Sequence, residues 1–335
     1  MALAQPTDGA RYHRLGRTDR AAWWRTLCGI GALLGFGLVF MGIAAALTWG
    51  VWEPDLQGPP EPSTGAQLWE LGAELLSLAM IIPAAYLAAL LVERRPPGLL
   101  SSVAGRIRWG WLGICLAICA GVYVIYGAIG FAIDVPRRID VGLVAGVFAL
   151  SLVLVPFQAA AEEYLFRGYL AQAFGTWIRS PWPTAAGLSI LFGFAHGTIG
   201  DQGIWLFIDR AAFGFVAAWL AWRTGGLEAG FALHTIGNVL AMSATAAYGD
   251  LADYLATAEE AEGTVGEVLL DIAIFTGTAL LMAWAAKRRR LPVTWRGPTW
   301  LTRPEDPRLT GLPPGPSVPA ASSAPSRAIP APSRA

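Results

Sequence analysis

Long runs of apolar residues, separated by short polar segments, dominate the chain from residue 26 to residue 286. A helix needs about 20 mostly apolar residues to cross the hydrocarbon core of a bilayer. The segments that meet or approach this length are 26–49, 71–92, 109–133, 141–160, 183–199, 203–222, 227–247 and 266–286. The pattern therefore predicts an all-α fold, a polytopic transmembrane helical bundle of about eight spans.

Composition supports a membrane protein over the soluble classes. Of 335 residues, 55% are hydrophobic and only 14% are charged, whereas soluble domains carry about 25% charged residues. The deficit excludes a disordered protein and an ordinary cytosolic enzyme. The formal net charge is +0, so no basic character argues for a nucleic-acid partner, and the lipid bilayer is the expected environment.

The loop charges predict that both termini are cytoplasmic. Arginines are enriched before the first span, between the second and third spans and after the last span, while the loops at 50–63 and 248–263 carry acids without a base. Basic loops stay on the cytoplasmic side. The Arg-, Ala- and Pro-rich composition with a single Lys287 favours a GC-rich bacterial source, and hence the bacterial plasma membrane.

This pattern divides the chain into five predicted parts. Residues 1–25 form an Arg-rich cytoplasmic arm in which His13 is expected to be solvated. Residues 26–140 hold the N-terminal transmembrane helices, 141–247 a candidate catalytic core, and 248–290 the last loop and span. Residues 291–335 contain 11 of the 23 prolines, which predicts a disordered cytoplasmic tail.

Charged groups near the end of the fourth span form the densest polar cluster at membrane depth. Each such group costs roughly 2.5–3.5 kcal/mol on insertion scales and therefore needs a reason. Glu163 and Arg167 are four residues apart, which favours pairing on a helix. Glu162 points about 100° away and has no obvious partner in its segment. An interfacial helix end solvated by headgroups would explain this segment equally well.

Two histidines within other apolar spans favour a functional reading. His196 follows Phe192 by four residues, and His234 precedes Asn238 by four residues. A single buried histidine is usually structural. Two histidines, an amide and two carboxylates on three consecutive hydrophobic elements would each gain by meeting inside the bundle.

These three segments resemble the signature of the CPBP family, the CAAX proteases and bacteriocin-processing enzymes, also described as type II CAAX prenyl endopeptidase-like or Abi proteins. The signature runs E-E-x-x-x-R, F-x-x-x-H and H-x-x-x-N. It is matched by Glu162-Glu163 with Arg167, by Phe192 with His196, and by His234 with Asn238. The resemblance covers about 141–246 and implies an intramembrane protease that cleaves a membrane-embedded or lipid-anchored protein or peptide.

Peptide hydrolysis needs a base for water, donors for the oxyanion and an acid for the leaving amine. Glu162 is the candidate base, with His196 orienting the same water. His234 and Asn238 are the candidate oxyanion donors. Glu163 and Arg167 are expected to hold the helix in place, and Phe192 belongs to the supporting motif. No serine or cysteine in the motifs is placed to act as a nucleophile.

Metal dependence stays open at this stage. Glu162, His196 and His234 are a suitable zinc-ligand set, but the compact H-E-x-x-H spacing of soluble metalloproteases is absent. We favour metal-free chemistry, with zinc as the alternative cofactor. The competing functions are a catalytically idle membrane scaffold or bacteriocin-immunity protein and, less favoured, a proton-coupled transporter.

The proposed chemistry makes a geometric prediction. A ladder of full-length spans would put Glu162 and His196 on opposite sides of the bilayer. We therefore expect the hydrophobic boundary around 155–180 to be misleading, with Glu162, His196, His234 and Asn238 converging at roughly 3–6 Å from neighbour to neighbour.

Overall fold

Helices account for nearly all the regular structure in a computed structural model that describes residues 3–49, 63–136, 139–197, 199–249, 251 and 264–297. The α-helices of these residues are α1 (Trp23–Trp49), α2 (Thr64–Ala79), α3 (Ile81–Leu87), α4 (Trp109–Ile133), α5 (Val141–Glu163), α6 (Ala171–Gly175), α7 (Pro181–Phe194), α8 (Ile199–Thr224), α9 (Glu228–Tyr248) and α10 (Val265–Arg288). The described residues contain isolated bridges but no strand, which confirms the predicted all-α class.

Six helical stretches of the described chain are long and apolar enough to cross a membrane: Trp23–Thr48, Thr64–Val92, Trp109–Ile133, Val141–Gly175, Gly203–Thr224 and Val265–Arg288. Their outer faces expose large apolar side chains, such as Leu38 at 74% and Ile133 at 82%, as a lipid-facing surface requires. The predicted spans at 183–199 and 227–247 also form helices. However, α7 has only 14 residues, and α9 carries buried polar groups.

The helix that begins with α5 is longer than its apolar run. It continues from Val141 through a π-helical segment, Tyr164–Leu170, into α6 and ends at Gly175. The predicted span ended near residue 160, so the expectation of a misleading boundary is confirmed. Beyond that point the helix buries polar side chains inside the bundle rather than entering solvent, including Glu163, Arg167 and Gln172. π-Helical segments are frequent at functional sites.

Helix packing places the α5 polar segment near the centre of the bundle. Helix α5 packs against α9 and α2, while α7 packs against α8, and α4 packs against α9. The start of α9 is fixed by Glu228, which is fully buried and accepts hydrogen bonds from the Arg108 side chain at 2.8 and 2.6 Å. Gly225 takes a positive φ of 76° in the turn before α9. This turn and ion pair fix the start of α9 against the loop that precedes α4.

The two terminal segments are more ordered than the sequence predicts. His13 was expected to be solvated, but it is only 7% exposed, and its Nε2 lies 3.1 Å from the carbonyl oxygen of Arg179. Trp295, within the predicted tail, is 8% exposed and donates its backbone N–H to Ala10 at 2.8 Å. The arm and the start of the tail therefore pack together, because each supplies apolar side chains to the other. The rest of the predicted tail, from residue 298, lies outside the described residues.

Candidate active site

Two carboxylates and an imidazole meet where α5 ends and α9 runs past it. Glu162 is 9% exposed, Glu163 is 0% exposed and His234 is 4% exposed. Helix geometry explains why adjacent glutamates reach the same imidazole: their side chains diverge by about 100° and approach its two ring nitrogens separately. His234 Nδ1 lies 3.2 Å from Glu163 Oε1, and Nε2 lies 3.7 Å from Glu162 Oε2. The imidazole is thus held between the two carboxylates.

Arg167 anchors the inner carboxylate. Its Nη1 donates to Glu163 Oε1 at 3.0 Å, which confirms the pairing predicted from the four-residue spacing. The guanidinium is 3% exposed and lies 4.2 Å from the centre of the Phe192 ring, a cation–π arrangement. Glu163 therefore does more than fasten its own helix, because the same oxygen faces His234 on α9.

A chain of amides connects Glu162 to the third motif. Gln158, one turn before Glu162, donates its Nε2–H to Glu162 Oε1, and Asn238 Nδ2 donates to Gln158 Oε1 at 3.1 Å. Sequence reasoning missed Gln158, although the four-residue spacing from Gln158 to Glu162 on an apolar helix was a readable signal. The structure thus joins Asn238 to Glu162 through one intermediate side chain.

His196 lies at the edge of this group. It follows the end of α7, and its Nδ1 lies 2.8 Å from the carbonyl oxygen of Phe192. Its ring packs on the Phe192 ring at a centroid distance of 4.6 Å, and the same phenyl ring is 6.1 Å from His234. Glu162 and His234 are within electrostatic range of His196. Unlike the other motif side chains, His196 is exposed.

The predicted convergence is therefore realised to different degrees. Glu162, His234 and Asn238 share one hydrogen-bonded and ionic group, whereas His196 joins it through Phe192. Glu74 on α2 also interacts electrostatically with Glu162.

Glu162, His196 and His234 are the side chains that could hold a metal ion. One carboxylate and two imidazoles are chemically suited to zinc. Yet the part of the chain that the structure describes contains no group of three His, Cys, Asp or Glu side chains arranged to hold a metal ion. Glu163 faces His234 Nδ1, and Glu162 faces Nε2, so both ring nitrogens already have carboxylate neighbours. We derive no step through a metal ion.

Comparison with known proteins bears on the same segment. Residues 144–240, which contain all the motif residues, match a family model described as type II CAAX prenyl endopeptidase Rce1-like. A protein of Bacillus subtilis (strain 168), named uncharacterized protein YyaK, is 36% identical over 94 residues. That alignment covers 27% of this chain and 31% of the relative, so it spans about a third of the relative's length. No solved structure matches the chain.

Proposed function

We propose that the chain is an intramembrane endopeptidase, because residues 144–240 match the family model described as type II CAAX prenyl endopeptidase Rce1-like. Its substrate is a membrane-embedded or lipid-anchored protein or peptide, and Glu162 activates the water that attacks the peptide bond. The observation that carries the proposal is the buried carboxylate of Glu162 lying 3.7 Å from His234 Nε2, beside an exposed second imidazole.

The charges of the site suit a base at Glu162. Glu163 and Arg167 neutralise each other in a 3.0 Å ion pair, which leaves the Glu162 carboxylate as the unbalanced charge. The proposed mechanism requires N–H groups on both ring nitrogens of His234, with Nδ1 toward Glu163 and Nε2 toward Glu162. Low-dielectric surroundings strengthen each of these interactions, so the site is arranged before a substrate arrives.

Water activation is assigned to Glu162 and His196. The carbonyl oxygen of Phe192 accepts the Nδ1–H of His196, which leaves Nε2 of the neutral ring as an acceptor for a water proton. Glu162 Oε2 takes a proton as the water oxygen bonds to the substrate carbonyl carbon. Glu162 then gives that proton to the leaving nitrogen as the C–N bond breaks, which returns the carboxylate to its starting state.

Oxyanion stabilisation is assigned to His234 and Asn238. Asn238 uses one amide N–H on Gln158, and its second N–H is left for the substrate oxygen. His234 supplies Nε2–H from the same face of α9, since the two residues are four apart. Removal of one such donor typically lowers kcat by about 100- to 1,000-fold.

The test is cleavage of a membrane-embedded reporter by purified protein in vesicles. Glu162→Gln keeps the volume and the Gln158 contact but removes the base, and we expect cleavage to fall at least 100-fold. Glu267→Gln is the matched control, because this carboxylate only caps α10 and glutamine serves in the same capping box. Cleavage by Glu162→Gln at the control rate would refute the role of Glu162 as the base, whereas absence of cleavage by the wild-type protein would point to the scaffold function.

Zinc chemistry is the alternative, and it is tested separately. The purified protein is treated with a chelator, dialysed and assayed with and without added Zn²⁺. Under the proposed mechanism, the cleavage rate is the same before chelation, after chelation and after Zn²⁺ is added. Loss of activity on chelation and its return with Zn²⁺ would replace Glu162-based activation by a metal-assisted one.

A further inference from the structure

A cleft outside the catalytic group lies in the loop that joins two spans. It has a volume of about 330 Å³, at the lower end of the range for small-ligand sites. The loop connects the span Thr64–Val92 to the span Trp109–Ile133, so the cleft opens at one surface of the membrane. Trp109, the first residue of α4, lines the cleft and is 71% exposed, as is typical of a tryptophan at the headgroup level.

The cleft presents one cation and no acid. Arg106 lines it together with the hydroxyl-bearing side chains of Tyr86 and Ser101. The neighbouring Arg108 is committed to Glu228, whereas the backbone carbonyl of Arg106 is fixed by the Ser102 hydroxyl at 2.6 Å. The Arg106 side chain is exposed and stands at the rim of a concave, partly apolar surface. A guanidinium beside hydroxyl donors is the usual chemistry for binding a phosphate group.

The hydroxyls are held in place by the catalytic helix. Tyr86 donates to the Tyr164 hydroxyl at 3.1 Å, and the Ser101 and Tyr164 hydroxyl oxygens are 2.7 Å apart. The Ser101 hydroxyl oxygen also lies 3.3 Å from the Tyr86 hydroxyl oxygen, so Ser101 donates to a ligand in exchange for this contact within the ring of three hydroxyls. Tyr164 directly follows Glu163 in the chain, so this wall of the cleft is built on the same rigid segment as the candidate active site.

The floor of the cleft is preorganised by two glycines. A Cβ atom on Gly98 would lie 2.0 Å from the Gly105 carbonyl oxygen, and Gly105 itself has a φ of +69°. The Gly105 N–H donates to Ser102 O at 2.9 Å, which closes the turn. A loop fixed in this way loses little conformational freedom on binding.

We propose that this cleft binds the phosphate group of an anionic phospholipid headgroup or of a soluble phosphate compound. Arg106 supplies the charge, Ser101 a hydroxyl donor, and Trp109 with Ile107 the apolar wall for the glycerol or acyl portion. The site is independent of the proposed protease activity. Two of its lining residues, Tyr86 and Ser101, hydrogen-bond Tyr164, the residue that follows Glu163.

The test measures ligand binding rather than activity. Protein in phosphatidylcholine nanodiscs is titrated by calorimetry with dihexanoyl phosphatidylglycerol, with dihexanoyl phosphatidylcholine and with inorganic phosphate. We expect saturable binding of the phosphatidylglycerol, weakened about tenfold by Arg106→Gln, the effect of one charge-assisted hydrogen bond at an exposed site. Arg94→Gln is the matched control, since Arg94 lies in the same loop but outside the cleft.

Each outcome separates the sources or rejects the site. Competition by inorganic phosphate at equal affinity would support the site and assign it to soluble phosphates, whereas preference for phosphatidylglycerol would assign it to lipid. Equal affinity of wild type and Arg106→Gln would overturn the proposal. Equal losses in Arg106→Gln and Arg94→Gln would also overturn it, by showing a diffuse positive surface. Should Arg106→Gln elute as an aggregate, Arg106→Ala replaces it, with the same criteria.

Discussion

Replacing Arg167 by methionine removes the only guanidinium bound to the buried Glu163 carboxylate among the described residues. The Glu163 side chain is 0% exposed, and its Oε1 accepts from Arg167 Nη1 at 3.0 Å. Methionine keeps an unbranched side chain of similar length that packs on Phe192. It leaves the carboxylate with His234 alone, 3.2 Å away. Removing one partner of a buried ion pair costs about 3–5 kcal/mol.

The expected loss is large enough to measure by thermal unfolding. For chains of 150–250 residues, 1 kcal/mol corresponds to about 2–4 °C in Tm, so a loss of about 3–5 kcal/mol predicts a drop of roughly 6–20 °C. The assay heats detergent-purified protein and follows tryptophan fluorescence, with folded yield from size-exclusion chromatography as a second readout. Activity is expected to fall in parallel, because His234 would lose the neutralised Glu163 that orients it.

A double variant serves as the control for this reasoning. Glu163→Gln with Arg167→Met removes both charges and leaves a neutral amide facing His234, so it should recover at least half of the Tm lost by Arg167→Met alone. The difference in Tm between the single and double variants separates the effect of the broken ion pair from the effect of lost packing. An Arg167→Met protein with wild-type Tm would refute the structural role of the pair. Equal Tm values for the single and double variants would assign the loss to packing against Phe192.

Three further predictions concern other parts of the chain. Gln158→Leu should lower kcat at least tenfold with little change in KM and in Tm, because it breaks the amide link to Glu162 without touching a substrate. Cleavage kinetics in which only KM changes would contradict the positioning role. Deleting 298–335 should leave Tm and cleavage unchanged, whereas deleting 291–335 should lower Tm. The reason is that Trp295 is buried and a large buried aromatic contributes about 3 kcal/mol or more. Equal Tm values for the two truncations would contradict the packing of residues 291–297. Burial lowers the pKa of His13 below its ordinary value of 6.5. The unfolded chain therefore binds the proton more readily, and stability is lost as the pH falls through about 6.5. His13→Gln should show a smaller Tm loss than the wild type between pH 8 and pH 5.5, and an equal loss would contradict this origin.

The sequence alone was sufficient for features that depend on local helix geometry. Apolar length predicted the transmembrane bundle, because crossing a bilayer requires a minimum run of such residues. The four-residue spacing of Glu163 and Arg167 predicted an ion pair that the structure contains at 3.0 Å. The spacing of His234 and Asn238 likewise placed both on one face of α9. In each case the helix repeat by itself fixes which side chains share a face.

Only the tertiary structure decided which helices continue and which groups meet across them. The helix that begins with α5 continues to Gly175 because neighbouring helices bury the polar side chains that follow residue 160. Counting apolar residues along the sequence cannot detect that burial. The position of His234 between two carboxylates, and the link from Asn238 to Glu162 through Gln158, depend on how deeply α9 lies against α5. Such partners come from segments distant in sequence, as do Arg108 and Glu228, whose ion pair joins the loop before α4 to the start of α9. The spacing of residues along one helix determines which side chains share a face of that helix, whereas the packing of helices against each other determines which side chains they contact.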